Sequence, residues 1–190
     1  MFALELAVAL ACTLAAPAVA QAASVLPAQS EIDFTTRQMG VPVKGRFRKF
    51  SAEIALDPKK PETGSVAFSI DTASVRFGSA ELEREIVKPQ WLNTPKFPLA
   101  SFRSSAIRGA GPGRYIVSGT LTIKGAAHEV TVPVQLIQAA VAAGVSTASG
   151  EFTIKRLDFR IGEAEWTDTS MLANDVVVRF KLAITGLPAL

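Results

Sequence analysis

The sequence holds one cysteine, one histidine and one tyrosine in 190 residues. A single cysteine excludes an intrachain disulfide, and with a single histidine it cannot assemble a His/Cys zinc site. A Ser-His-Asp or Cys-His hydrolase would have to work through His128. No glycine-rich stretch has the spacing of a phosphate loop or a dinucleotide fingerprint. The acids Glu163, Glu165, Asp168 and Asp175 match no calcium-loop spacing, so a solvated loop is the expectation there. Charge is sparse as well, with 20 Lys+Arg against 17 Asp+Glu and a formal net charge of +3. The densest basic group, Lys44, Arg46, Arg48 and Lys49, falls in strand-like sequence and reads as a solvated strand face. Nucleic acid is therefore not an expected partner, and attraction to an anionic membrane is expected to be weak.

One long apolar run is present, over residues 1–20, interrupted by Glu5, Thr13 and Pro17. The small residues around Ala18-Val19-Ala20 predict a signal peptide over 1–20, with Ala22 or Ala23 as later cleavage positions. The leader is atypical in carrying Glu5 and no base ahead of the apolar stretch. Cys12 lies inside it, so cleavage leaves an exported chain without thiols. The remainder, 24–187, is expected to be one domain, since neither a linker nor a repeat divides it.

That remainder is dominated by alternation with period two. Val66, Phe68 and Ile70 share a face. So do Tyr115, Val117, Leu121 and Ile123, opposite Ser118, Thr120, Thr122 and Lys124. Val130, Val132, Val134 and Leu136 repeat the pattern, and Val176, Val178, Phe180, Leu182 and Ile184 close it. Such alternation predicts antiparallel strands with one buried face. The apolar phase switches near Arg48-Lys49 and again near Lys155-Arg156, which predicts a β-bulge at each. Eight strands are expected, near 30–38, 43–57, 65–71, 99–108, 114–124, 128–138, 147–161 and 176–186. One short helix is expected after Ser79, with Glu81 and Glu83 in its first turn and Pro89 beyond its end. The fold class is all-β: an eight-stranded antiparallel barrel with one short helix near the mouth.

Several stretches resemble the YceI family of exported, lipocalin-like proteins. They are SEIDF at 30–34, VKGRFRKF at 43–50, SIDTASV at 69–75, WLNTPKFPLASF at 91–102, YIVSGTLTIKG at 115–125 and GEFTIKRLDF at 150–159. GEAEWTD at 162–168 and the closing NDVVVRF strand extend the match over nearly all of the mature chain. The resemblance implies a periplasmic barrel that binds a long isoprenoid or similar amphiphile, with a polyprenyl phosphate or a quinone as alternative ligands. It implies no cofactor beyond such a lipid. Many members carry a histidine near the segment occupied here by Thr36-Arg37-Gln38-Met39-Gly40, a departure that bears on how a headgroup is held.

A barrel of this size is filled either by side chains or by a ligand. The candidate lining residues are Phe34, Phe47, Phe68, Ile70, Phe102, Tyr115, Val117, Leu121, Phe152, Phe159, Ile161, Trp166 and Phe180. Eleven phenylalanines against one tyrosine suit a hydrocarbon guest, and they suit an ordinary core equally. Each isoprene unit removes roughly 80–100 Å² from water, worth about 2 kcal/mol at about 25 cal/mol/Å². Trp91 and Trp166, beside loop-forming residues, either close over a guest or plug a barrel end. Arg103, Arg156 and Arg160 read as inward or rim residues. An inward arginine requires an anionic headgroup or a carboxylate, for which Asp71 and Asp158 are the candidates. His128 is expected to be exposed after a tight turn. The function expected is non-enzymatic lipid carriage. The alternative is a stress-response or redox-partner module that uses the barrel as scaffold and meets a membrane cytochrome or quinone enzyme. A homodimer is left open.

Overall fold

A computed structural model describes residues 23–138 and 144–189; the expected leader over 1–20, with Cys12, lies outside them. The alternating segments form β1 (Ser24–Val25), β2 (Glu31–Gln38), β3 (Val41–Phe47), β4 (Phe50–Ala55), β5 (Ser65–Asp71) and β6 (Val75–Arg76). They continue as β7 (Leu99–Gly109), β8 (Arg114–Ile123), β9 (Ala126–Gln138), β10 (Val145–Lys155) and β11 (Asp175–Thr185). The order across the sheet is β4-β5-β7-β8-β9-β10-β11-β2-β3-β6, with β1 on β11, and every pairing is antiparallel.

The two ends of this order are consecutive in the chain. Only Arg48 and Lys49 separate β3 from β4, and only the 3-10 turn Thr72–Ser74 separates β5 from β6. Two long strands thus turn a corner side by side, and the sheet curls onto itself. Counted along the chain there are eight long strands, as expected, two of them broken at this corner, with β1 added. Backbone bonds stitch the seam: the Arg48 N–H donates to Ser74 O at 3.2 Å and the Asp71 N–H to Lys49 O at 3.0 Å. The buried Ser74 hydroxyl accepts from the Arg48 and Lys49 amides at 3.2 and 3.0 Å and donates to Asp71 O at 2.6 Å. The phase switch at Arg48-Lys49 is therefore this corner.

The second expected bulge is corrected. β10 ends at Lys155, and a 3-10 turn follows over Arg156–Phe159, closed by Arg160 at φ 55°. A tight helical turn shifts the apolar phase just as a strand slip does, so the expected strand over 147–161 stops short. A bulge does interrupt β7, between Ser104 and Ala106. The apolar phase changes there too, from Ala100 and Phe102 to Ile107, but small residues between them mute the signal.

The helix is α1 (Ala80–Glu85), with the Ser79 hydroxyl accepting from the Leu82 amide at 3.4 Å. Glu83 reaches back to the Phe77 and Gly78 amides at 3.0 and 3.2 Å, which fixes the entry into the helix. It lies at the end of the barrel where β2, β5, β8 and β10 finish. At the opposite end β1 is held between β11 and β4 through the pairs Ser24–Thr185 and Ala23–Ile54.

Replacing Ser74 by alanine takes this partner from the Lys49 amide and the Asp71 carbonyl at the corner and leaves the Arg48 amide with Ser74 O alone. A loss of about 2 kcal/mol is expected in urea unfolding monitored by circular dichroism. A variant as stable as the wild type would show that the seam does not depend on this hydroxyl.

Candidate functional site: the barrel interior

Inward-facing positions of the strands enclose two cavities that share Ile32, Ile70, Leu121, Phe152 and Val178 as a common wall. The deeper one, about 160 Å³, is lined by hydrocarbon side chains including Ile54, Leu56, Val66, Leu136, Ile184 and Leu187. Its single polar group is spoken for, because the Tyr115 hydroxyl donates to Pro58 O at 3.2 Å. Burial raises that phenol above its ordinary pKa, so it stays neutral. The outer cavity, about 250 Å³, lies under α1 and is walled by Leu82, Ile86, Trp91, Leu92, Trp166 and Leu172. Polar residues enter its lining only here: Asp33, Thr36, Gln38, Thr72, Glu85 and Arg156. The lumen therefore runs from a wholly apolar floor to a mixed mouth.

Three phenylalanines lie flat over glycines of a neighbouring strand, which keeps the lumen open. Phe34 pairs with Gly45 and Phe180 with Gly150, while Phe102 covers Gly119 diagonally. A Cβ at residue 45 would stand 2.2 Å from the Phe34 ring, and one at 150 would stand 2.5 Å from Phe180. Any larger residue at these positions would push a ring toward the axis.

The mouth is built around Arg156, 2% exposed. Its Nε donates to Ala173 O at 3.0 Å, Nη1 to Ile161 O and Gly162 O at 2.9 and 3.1 Å, and Nη2 to Trp166 O and Leu172 O at 2.5 and 2.8 Å. All five bonds go to backbone carbonyls. The expected carboxylate partner is corrected: neither Asp71 nor Asp158 touches it. Asp71 caps its own turn through the Ala73 amide, and Asp158 offers only its carbonyl, to His128. The strand ends here and the chain wraps the guanidinium, so the partners come from 161–173. Burial pushes the guanidinium below its ordinary range. Its donors are used up, so it has none left for a headgroup.

Lys124 holds the same loop from the other side. It sits at φ 50° in the two-residue turn with Gly125, the pattern of a type I′ hairpin. Its buried ammonium reaches Arg160 O at 2.6 Å and Glu163 Oε2 at 2.7 Å. The loop is tied to the helix side by the Gly162 and Glu163 amides, both donating to Gln90 O. There Glu85 accepts from Lys88 Nζ at 2.5 Å, Gln90 Nε2 at 2.9 Å and Trp91 Nε1 at 3.2 Å. The Lys88 bond above all, then those from Trp91 and Gln90, hold its carboxyl below the usual range. Trp91 and Trp166 meet across the mouth with ring centroids 5.3 Å apart.

Of the expected lining residues, Phe34, Phe47, Ile70, Leu121, Phe152, Ile161 and Trp166 border the outer cavity. Phe68, Phe102, Tyr115, Val117 and Phe180 border the inner one. Phe159 is a correction. It packs with Leu121 and Ile154 below the 3-10 turn, 2% exposed, and lines neither space. Arg103 and Arg160 are exposed, so neither points into the lumen. His128 is exposed on β9, edge-on to Phe159 at 4.9 Å, with Nε2 3.0 Å from Asp158 O. Sequence reading missed Leu82, Glu85, Ile86 and Leu172, which reach the mouth from a helix and a loop where no period of two marks them.

The fold and the lumen define a lipocalin-like antiparallel barrel. Within that class the chain belongs to the YceI-like domain family, whose sequence model matches residues 24–184. A UPF0312 protein of Shewanella baltica is 34% identical over 137 residues, 70% of each chain. One of Vibrio cholerae is 30% identical over 139 residues, 70% of this chain and 74% of its own. Among solved structures, Burkholderia cenocepacia BcnA superposes with a TM-score of 0.80 at 40% identity, covering 84% of this chain and 98% of that one. A polyisoprenoid binding domain from Saccharophagus degradans shares the fold, with a TM-score of 0.67 at 18% identity, over 87% and 98% of the two chains.

Two outcomes follow for the mouth. Arg156→Ala leaves five carbonyls without their donor, and a loss of about 3–5 kcal/mol is expected; Arg156→Lys, with three donors, is expected to recover part of it. Calorimetry on the three proteins checks this, and equal stability would refute it. Glu85 has a lowered pKa, so its contribution is present above the ordinary carboxylate value of about 4.3 and lost as pH falls through its lower folded value. Tryptophan emission is therefore expected to hold steady through pH of about 4.3 and change only below it. Glu85→Gln should abolish that acid transition.

Proposed function

We propose that this protein carries a long-chain amphiphile, an isoprenoid by preference, with its hydrocarbon tail in the barrel and its head at the mouth. The observation that carries this reading is the pair of adjoining cavities, apolar at the floor and polar only beneath α1. A core built only to be filled leaves few voids larger than a water molecule. Burying four isoprene units would contribute on the order of 8 kcal/mol at about 2 kcal/mol each, so affinity needs no charged contact. The neighbour described as a polyisoprenoid binding domain supports the same choice of guest. With Arg156 consumed by carbonyls and the other ionisable side chains of the lining, Asp33 and the half-buried Glu85, both acidic, a quinone-like or other uncharged head suits the mouth better than a phosphate. The reaction class is none: the protein binds and releases. Among the described residues His128 bonds to Asp158 O and meets the Phe159 ring, and no hydrogen bond joins it to an acid or a nucleophile. The expected leader agrees with a periplasmic carrier that meets its cargo at a membrane redox enzyme.

The deciding experiment is mass spectrometry of an organic extract from protein purified without detergent. A stoichiometric long-chain lipid is expected, and an empty barrel would favour the scaffold reading. Phe152→Ser, in the wall shared by both cavities, is expected to weaken binding of a fluorescent isoprenoid about tenfold or more. The outward control Thr153→Ser should leave it unchanged. Equal binding by both variants, with Phe152→Ser less stable, would return Phe152 to plain packing.

A further inference from the structure

Large apolar side chains stand exposed at this end of the barrel: Met39 at 63%, Val41 at 64%, Met171 at 43%, Leu82 at 39% and, apart from them, Leu99 at 57%. The first three form one patch. Met39 and Gly40 are the two turn residues between the paired Gln38 and Val41 at the tip of the β2–β3 hairpin. The Met39 amide donates to Met171 O at 2.8 Å, and Gln38 bridges Leu172, which walls the outer cavity. Neither conformation nor burial accounts for a methionine at this tip. At φ 47° it occupies the left-handed region, where glycine or asparagine is preferred, and its side chain is mostly exposed.

The charge on the hairpin itself has one sign. Residues 36–46 contain Arg37, Lys44 and Arg46 and no acid. Arg46 is neutralised by Glu31 and Asp33. Arg37 only clamps the tip through Gly40 O, and Lys44 is exposed without an ion pair among the described residues. On the other loop Asp168 is held ionised by the Ser170 hydroxyl and amide, so the basic charge belongs to the hairpin side of the patch. We propose that this hairpin tip, together with Met171, docks the mouth on an anionic lipid bilayer, so that the guest passes between membrane and lumen without crossing water. This rests on the carrier reading. A bilayer fits better than a protein because three side chains at a protruding tip offer on the order of 300 Å², far below the about 800 Å² per partner of a stable protein interface. Insertion of a few apolar side chains beside basic ones is how peripheral proteins reach anionic surfaces.

The test uses the full mature chain and a variant, Met39→Gly with Val41→Thr and Met171→Ser. Glycine suits the positive φ and threonine suits the strand, so the variant is expected to fold with unchanged thermal stability. Three readouts are compared: flotation with vesicles of phosphatidylglycerol and phosphatidylcholine, uptake of a fluorescent isoprenoid from those vesicles, and solution affinity for farnesol. The wild type is expected to float with anionic vesicles and less with pure phosphatidylcholine. In the variant, partitioning and uptake rate should each fall about tenfold, with farnesol affinity unchanged. A variant that floats and extracts as fast as the wild type overturns docking by this patch. So does a wild type that fails to float, including one that instead forms a dimer abolished by the three substitutions. A wild type that floats yet binds neither farnesol nor the vesicle isoprenoid overturns the carrier reading and leaves docking standing.

Discussion

A buried guanidinium organises the α1 end of this barrel. Arg156 spreads its donors over five carbonyls drawn from residues 161–173, and in doing so converts a long connection into the wall of a binding site. Burying a guanidinium costs several kcal/mol unless its donors are satisfied, so the loop cannot leave without exposing that cost. The placement of Trp166 over Trp91, the approach of Leu172 to the lumen and the ties from Gln90 to Gly162 and Glu163 all depend on it. Carbonyl dipoles meet the charge, so the guanidinium is satisfied without a carboxylate paired to it.

The lumen is kept open by a different device. Broad aromatic rings would ordinarily meet at the axis of a small barrel and fill it. Here Phe34, Phe102 and Phe180 are accommodated against the wall because a glycine across the strand leaves the space of a missing side chain. The same glycines would weaken the sheet if left bare, and the rings cover them. Wall stability and cavity volume are thus served by one set of contacts, which is why removing a ring and filling a glycine should have opposite effects on the lumen. The polar residues gather at the end that α1 covers, so the interior has a direction, apolar at the floor and polar at the mouth.

Much of this was legible in the chain. The strict alternation of β8, β9 and β11 gave their inward faces residue by residue, because a strand with one wet face records its environment locally. The corner at Arg48-Lys49 showed as a slip of phase, and the Ser79 cap announced α1. Twelve of the thirteen lining candidates border the cavities, ten of them from strands and for the same reason, and Ile161 and Trp166 from the loop that follows β10. Phe159 failed because a 3-10 turn and a bulge shift the phase alike, and only the backbone distinguishes them.

By itself the sequence determined strands, their faces and the apolar character of what they enclose, since these follow from neighbours two residues apart. It could not determine that the interior would hold open space rather than interlocked side chains, because that depends on which glycine each ring meets on another strand. Nor could it name the partners of Arg156. Backbone carbonyls are common to every residue and carry no signature, so a cation read in isolation points toward carboxylates. Only the tertiary structure, by wrapping residues 161–173 around the guanidinium, decided that this charge would build the mouth and not bind a ligand there.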